Sequence, residues 1–267
     1  MPSDTLHLSA LYRYPIKSTA GESLDRAVVG EEGIAGDRRF MLARPDGVFL
    51  TARSHPQLVT IRAELSDTGV VLHHPALEPL ALEFDSFEKE PFTTQVWNDS
   101  FRALTTTLEA DCWCEQALGE PARFLWLGER SPRYSQAIGK RLSFADGFPL
   151  MLIGEASLED LNQRASGAHV MAQFRPNLVM SGGLPFAEDK WHLLRIGETE
   201  LAVRKPCTRC AMITVDPDTG TFIDKREPLR TLADYRRGLT GQVEFGQNLV
   251  VLTGGELEVG MPIEVLG

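Results

Sequence analysis

Four cysteines stand in two close pairs, Cys112-Trp113-Cys114 and Cys207-Thr208-Arg209-Cys210. On a helix the first pair would place its thiols about 200° apart around the axis, too divergent to clamp one metal, so these read as buried or incidental. The second pair has the spacing of half a zinc site, of a redox disulfide or of one reactive thiolate. Zinc needs further nitrogen or sulfur ligands, and no second pair of Cys or close Cys/His pair follows Cys210. A thioredoxin-type site needs a βαβ setting that the pattern lacks. What remains is a single soft thiolate ligand or nucleophile, or two structural cysteines. Arg209 bears on the choice, because a guanidinium beside Cys210 favours the thiolate, the form that binds soft metals.

Other candidates are basic residues beside turn formers or breakers. Tyr14-Pro15-Ile16-Lys17-Ser18 ends a first strand with an ammonium and a hydroxyl at a loop. In Gly36-Asp37-Arg38-Arg39-Phe40, strand alternation sends the two guanidiniums to opposite faces, one toward solvent and one toward a ligand. In Phe174-Arg175-Pro176-Asn177 the proline pushes Arg175 out of α geometry. Together these form a dispersed donor set suited to a phosphate-bearing group. The run Thr214-Val215-Asp216-Pro217-Asp218-Thr219-Gly220 is turn chemistry first, its acids bonding nearby amides. No P-loop, dinucleotide fingerprint, Gly-x-Ser-x-Gly or His-Glu-x-x-His occurs.

The elements that must position these residues are mostly short strands. Phe40–Ala43 and Val48–Thr51 flank an Asp46-Gly47 hairpin turn, and Leu58–Ala63 reads as a further strand. Later come Leu193–Ile196, Leu201–Arg204, Met212–Val215, Leu249–Leu252 and Pro262–Leu266. Helices are expected over Thr107–Leu118, from a Ser157 cap to Ala165, and from a Thr231 cap through Tyr235. The pattern is mainly β with a few helices, an α+β chain of barrels rather than a βαβ sheet. Gly128-Glu129 is the expected boundary, giving units of 1–128 and 129–267.

Composition narrows the function classes. The formal charge of −10 argues against a general nucleic-acid or anionic-membrane binder. Residues 63–120 hold twelve acids and two bases, which accounts for the whole imbalance, so an anionic ligand belongs elsewhere on the chain. That block is expected to be a solvated face, or a docking surface for a basic region of an electron donor. No run of 18 apolar residues occurs, and the start Met1-Pro2-Ser3-Asp4-Thr5 lacks the features of a secretory signal. A cytoplasmic protein without a membrane span is the expectation.

The residues singled out above coincide with a family pattern. The sequence resembles the MOSC proteins, named for the C-terminal domain of the molybdenum cofactor sulfurase, in the branch with an N-terminal β-barrel domain. The likeness is carried by Tyr14-Pro-Ile-Lys-Ser18, Gly36-Asp-Arg38, Thr51-Ala-Arg53, Glu155-Ala-Ser-Leu158, Phe174-Arg-Pro-Asn177, Cys207-Thr-Arg-Cys210, Thr214 to Gly220, Lys225-Arg-Glu-Pro-Leu229 and Phe245-Gly-Gln247. It implies an N-terminal β-barrel-like domain packed on a MOSC β-barrel domain. It also implies the molybdenum cofactor, Mo-molybdopterin, with Cys210 as the protein's metal ligand and Cys207 near but unbound. Lys17, Ser18, Arg38, Arg175, Asn177, Thr208 and Arg209 match positions that hold the pterin and its phosphate. The domain class also carries an association with pyridoxal phosphate.

The implied activity is reduction of N-hydroxylated compounds, with Cys210 at the metal and water or Asp216 as the proton source. An alternative is a carrier that holds cofactor or sulfur on Cys210 without turnover; a second is an interaction protein whose Cys-x-x-Cys is only core. Two departures from the amidoxime-reducing members stand out. Gly147 and Phe148 replace a Thr-Ser pair, and Asn248 stands where those members have tyrosine. No cysteine follows Cys210, so electrons are expected from an external donor protein of ferredoxin, flavodoxin or cytochrome type.

Overall fold

The structure, a computed structural model, describes residues 5–223 and 226–267. Lys225, at the head of the Lys-Arg-Glu-Pro-Leu segment, lies outside the described residues, as do Met1 to Asp4. The chain is mainly β, as its pattern predicts, with four α-helices among the described residues.

The largest element is an eight-stranded sheet. Its order is Glu22–Leu24, His7–Arg13, Leu178–Ser181, Leu150–Gly154, Glu244–Thr253, Thr199–Thr208, Leu193–Ile196 and Ile263–Val265. The first two strands are thus paired into a sheet whose other members all come from beyond residue 149. A register shift between Leu8 and Ala10 breaks the alternation of His7–Arg13 and lets both Leu8 and Leu11 join Leu150, Leu152, Leu178 and Leu249 in one apolar core. A four-stranded sheet (Phe40–Ala43, Arg123–Trp126, Asp99–Thr105, Pro91–Val96) and a meander (Arg62–Leu65, Gly69–His74, Leu77–Glu83) enclose a second core with Phe40, Phe124 and Trp113. The sheets are open at both ends among the described residues, where closed barrels are the expectation. Strongly bulged pairing, as between Thr199–Thr208 and Glu244–Thr253, bends them instead.

Several local expectations hold and several need correction. The hairpin at Arg44–Gly47 forms, with Arg44 N donating to Val48 O and Leu50 N to Leu42 O, although Phe40–Ala43 finds its long partner in Arg123–Trp126. Thr107 caps the helix Leu108–Leu118 by accepting from Ala110 N, and Gly119 ends it in the left-handed region. On that helix Cys112 is exposed and Cys114 buried, as the divergent spacing implies.

Ser157 is not a cap. The helix begins at Glu155 behind Gly154, and the Ser157 hydroxyl, now inside it, donates to Glu188. The last helix, Leu229–Tyr235, likewise starts before Thr231. Leu58–Ala63 splits into a 3-10 turn, Pro56–Thr60, and the strand Arg62–Leu65, because Pro56 starts the turn and leaves Leu58 and Val59 buried in it. Met212–Val215 is the 3-10 turn Ala211–Thr214 rather than a strand. One βαβ unit is present: Leu150–Gly154 and Leu178–Ser181 are parallel, and the helices Glu155–Arg164 and Met171–Phe174 make the crossover.

Candidate functional site

The strand His7–Arg13 delivers the first site residues. Beyond it Tyr14 N donates to Asp37 Oδ1 at 2.9 Å, which folds the 14–18 segment against the 36–38 turn. Lys17, only 5% exposed, donates its ammonium to Phe144 O at 2.8 Å and to Asp146 Oδ1 at 2.5 Å. Burial pushes the Lys17 pKa down, with Asp146 opposing. The surrounding protein acts to raise the pKa of the solvent-exposed Asp146 carboxylate, but the charge and hydrogen bond of Lys17, then the Trp97 indole, hold it well below its usual range. Ser18 takes φ 68°, a conformation that L residues adopt where surrounding contacts enforce it.

Arg38 and Arg39 diverge, but not by strand alternation, since both precede the strand Phe40–Ala43 and Arg38 sits in a turn at φ 47°. Arg38 binds Asp37 Oδ2 at 2.5 Å and Asn177 Oδ1 at 3.1 Å. Arg39 turns the other way to Glu32 and the Gly128 carbonyl, along an acid-rich cleft. Asn177 is buried and fully engaged, donating to Tyr12 O and Asp37 Oδ1 while accepting from Arg38. Its contribution is to lock the Asp37–Arg38 pair.

Arg175 ends the short helix Met171–Phe174 in the left-handed region, at φ 57° and ψ 45°. Its guanidinium donates to the Thr19 carbonyl. Burial lowers its pKa to about 10, the nearby Arg38 charge adding to the effect. From the far side, the strand Thr199–Thr208 runs out at Thr208 and the 3-10 turn Ala211–Thr214 begins after Cys210. Arg209, between them, donates to Phe245 O and Phe174 O and to Met151 Sδ. Gln173 ties the turn to the helix, its Nε2 donating to Ile213 O at 3.1 Å. Burial pushes the Cys207 thiol up, while Cys210 is exposed.

Lys17, Ser18, Arg38, Arg175, Asn177, Thr208, Arg209 and Cys210 all line one cavity of about 150 Å³. Gly147, Phe148 and Asn248, the departing positions, line it too. Gln173, Arg175 and Met212 form a wall shared with a second cavity of about 590 Å³. Asp216 lines neither; its Oδ1 accepts from the amides of Asp218 and Thr219, the turn role its sequence context predicts.

Sequence reasoning missed four contributors: Tyr14, Asp37, Asp146 and Gln173. Asp37 had a signal, since it sits inside the Gly36-Asp-Arg38 motif and a buried Arg needs a partner. Among the described residues no group of three or more His, Cys, Asp or Glu could hold a metal.

Chemically, the cavity gathers four cations. Lys17 and Arg38 have carboxylate partners, Asp146 and Asp37. Arg175 and Arg209 have none within ion-pair distance among the described residues. The surplus charge favours an anion, and the exposed thiol adds a soft donor at the same place.

Comparison with known proteins gives a consistent result. The profile of the MOSC N-terminal beta barrel domain matches residues 5–121, and that of the MOSC domain matches residues 139–264. Mitochondrial amidoxime-reducing component 1 of Mus musculus is 33% identical over 97% of the chain and 82% of its own length. Mitochondrial amidoxime reducing component 2 of Bos taurus is 34% identical over 96% and 82%. Molybdenum cofactor sulfurase of Solanum lycopersicum is 30% identical over 90% of this chain, which spans 32% of that protein.

Proposed function

Because the chain belongs to the MOSC family, in the branch with an MOSC N-terminal beta barrel domain, we propose that it is a molybdenum-cofactor oxidoreductase that reduces N-hydroxylated compounds to their N–H counterparts. The reaction balances as R–NH–OH plus two electrons and two protons giving R–NH2 and water. What supports the reading is the surplus of positive charge around a cavity with an exposed cysteine at its edge. That donor set fits an anionic pterin dithiolene bearing a soft metal. The likeness to amidoxime-reducing components supports this reaction class.

In this reading Cys210 is the metal ligand, and the cofactor when bound supplies the two-electron chemistry. Lys17, Ser18, Arg38 and Arg175 hold the phosphate. Thr208 and Arg209 shape the pterin side, Arg209 chiefly by fixing the loop through its bonds to Phe174 and Phe245 carbonyls. Asn177 keeps Arg38 aimed. Asp216 is committed to its turn, so the protons come from water reaching the exposed Cys210 side. Electrons come from an external donor protein of ferredoxin, flavodoxin or cytochrome type.

The test is the molybdenum-to-protein ratio of material from a host that makes the cofactor. Cys210→Ala should lose most of its molybdenum and Cys207→Ala should keep it; equal retention in both would sink the ligand assignment. Molybdenum-loaded wild type should turn over benzamidoxime with an artificial reductant. Loading without turnover would leave the carrier role.

A further inference from the structure

We propose that Tyr14 is the positioning residue of the anion-binding end, its ring acting as the spacer that allows Arg38 and Arg175 to share one site. The inference rests on the reading of those two arginines as anion ligands. The guanidinium carbon of Arg38 lies 4.6 Å from the Tyr14 ring centroid and that of Arg175 lies 4.2 Å from it. Two guanidiniums cannot both lie flat on one face at those distances, and we therefore place the ring between them.

The electrostatics explain why an aromatic ring is needed there. Asp37 balances Arg38, whereas Arg175 has no carboxylate within ion-pair distance among the described residues. Each face of the ring would then present negative quadrupole density to one guanidinium, which offsets part of the like-charge repulsion in this half-buried site. An acid in that place would neutralise the pair and compete with the ligand. An aliphatic side chain would leave the repulsion unopposed.

Tyr14 is also tied to the backbone of both arginine segments. Its carbonyl accepts from Arg38 N at 2.7 Å, and its hydroxyl donates to Pro176 O, one residue past Arg175, at 3.0 Å. Both arginines take positive φ, 47° and 57°, so their side chains depend on such outside contacts for direction. Gly21 packs on the ring, where a Cβ would fall 2.4 Å from a ring carbon; no larger residue fits without moving the spacer.

The experiment uses the full-length, cofactor-free protein and inorganic phosphate, followed through the arginine Nε–Hε resonances. Tyr14→Phe keeps the ring and should bind phosphate within about twofold of wild type. Tyr14→Leu should weaken it about tenfold, equivalent to about 1.4 kcal/mol. Leu8→Ala, a buried change on the preceding strand, should lower the melting temperature yet leave phosphate affinity alone. If Tyr14→Leu does not fold, the wild type itself decides, because ring currents must move the side-chain protons of both Arg38 and Arg175 upfield. Absence of that shift from either arginine, equal affinity in Tyr14→Leu and wild type, equal loss in the Phe and Leu variants, or a matching loss in Leu8→Ala would each overturn the inference. Failure of the wild type to bind phosphate would overturn the anion-site reading and this inference with it.

Discussion

Glu188 has no exposed surface, and among the described residues only one of its carboxyl oxygens is used: Oε1 accepts from Gly154 N at 3.1 Å and Ser157 Oγ at 2.7 Å, while Oε2 has no partner. Burial therefore pushes its pKa above the ordinary 4.5, the neighbouring Asp189 charge adding to the rise. The folded protein then holds this proton more tightly than the unfolded chain does. The associated stability is fully present below about pH 4.5 and is lost as pH rises through the folded value. Glu188→Gln should remove that dependence, narrowing the difference in urea midpoint between pH 5 and pH 8 and gaining about 1 kcal/mol at the higher pH. An unchanged pH profile in the variant would show that the carboxyl is already ionised in the fold. The site shows the opposite treatment of buried charge. Lys17 and Arg38 are each given an acid, and Arg209 is given carbonyls and a thioether.

At the level of elements, the site depends on two loops being pressed together by the central sheet. Gly246, in the strand Glu244–Thr253, takes φ 75°; a Cβ there would come 2.8 Å from Leu152 O, 2.6 Å from an Ile153 side-chain carbon and 3.3 Å from an Arg209 guanidinium nitrogen. Gly246→Ala should cost about 2 kcal/mol in urea unfolding and reduce the molybdenum retained by the folded fraction. Full retention would mean that Arg209 is not held by this close approach. The Gly-Gln pair is legible in sequence as part of the family pattern, but its reason is a contact between distant strands. The same division applies across the site. Cys210, Lys17 and the arginines are legible because their residue types carry chemistry and stand beside prolines or turns. Tyr14 is not, since an aromatic at a strand end reads as core until Arg38 and Arg175 arrive from far along the chain. Met212–Val215 reads as a strand by residue type, yet the bond that Gln173 Nε2 donates to Ile213 O shows the segment working as an anchored turn.

Across the whole molecule, the charge imbalance of 63–120 and the cation-lined cavity are separate features. Part of the acidic block serves local pairing, with Asp111 bound to Arg123 and Asp99 to Arg133, and the more exposed Asp85 and Glu64 lie 4.0 Å from Lys89 and 3.3 Å from His73. The cavity instead draws Lys17, Ser18 and Arg38 from the first forty residues and the rest of its proposed ligands from beyond residue 170. The boundary expected at Gly128-Glu129 therefore falls between residues that the cavity brings together. A protein of residues 129–267 alone would expose the edge of Leu178–Ser181 that His7–Arg13 covers, and would lose Leu8, Leu11, Ala27 and Val29 from its core. Such a fragment should aggregate or melt without cooperativity, and coexpression with residues 1–128 should restore a soluble complex that retains molybdenum. A cooperative melt by the isolated fragment would show that the strand exchange at the N-terminus is dispensable for folding, leaving the shared cavity as the reason the two parts remain on one chain.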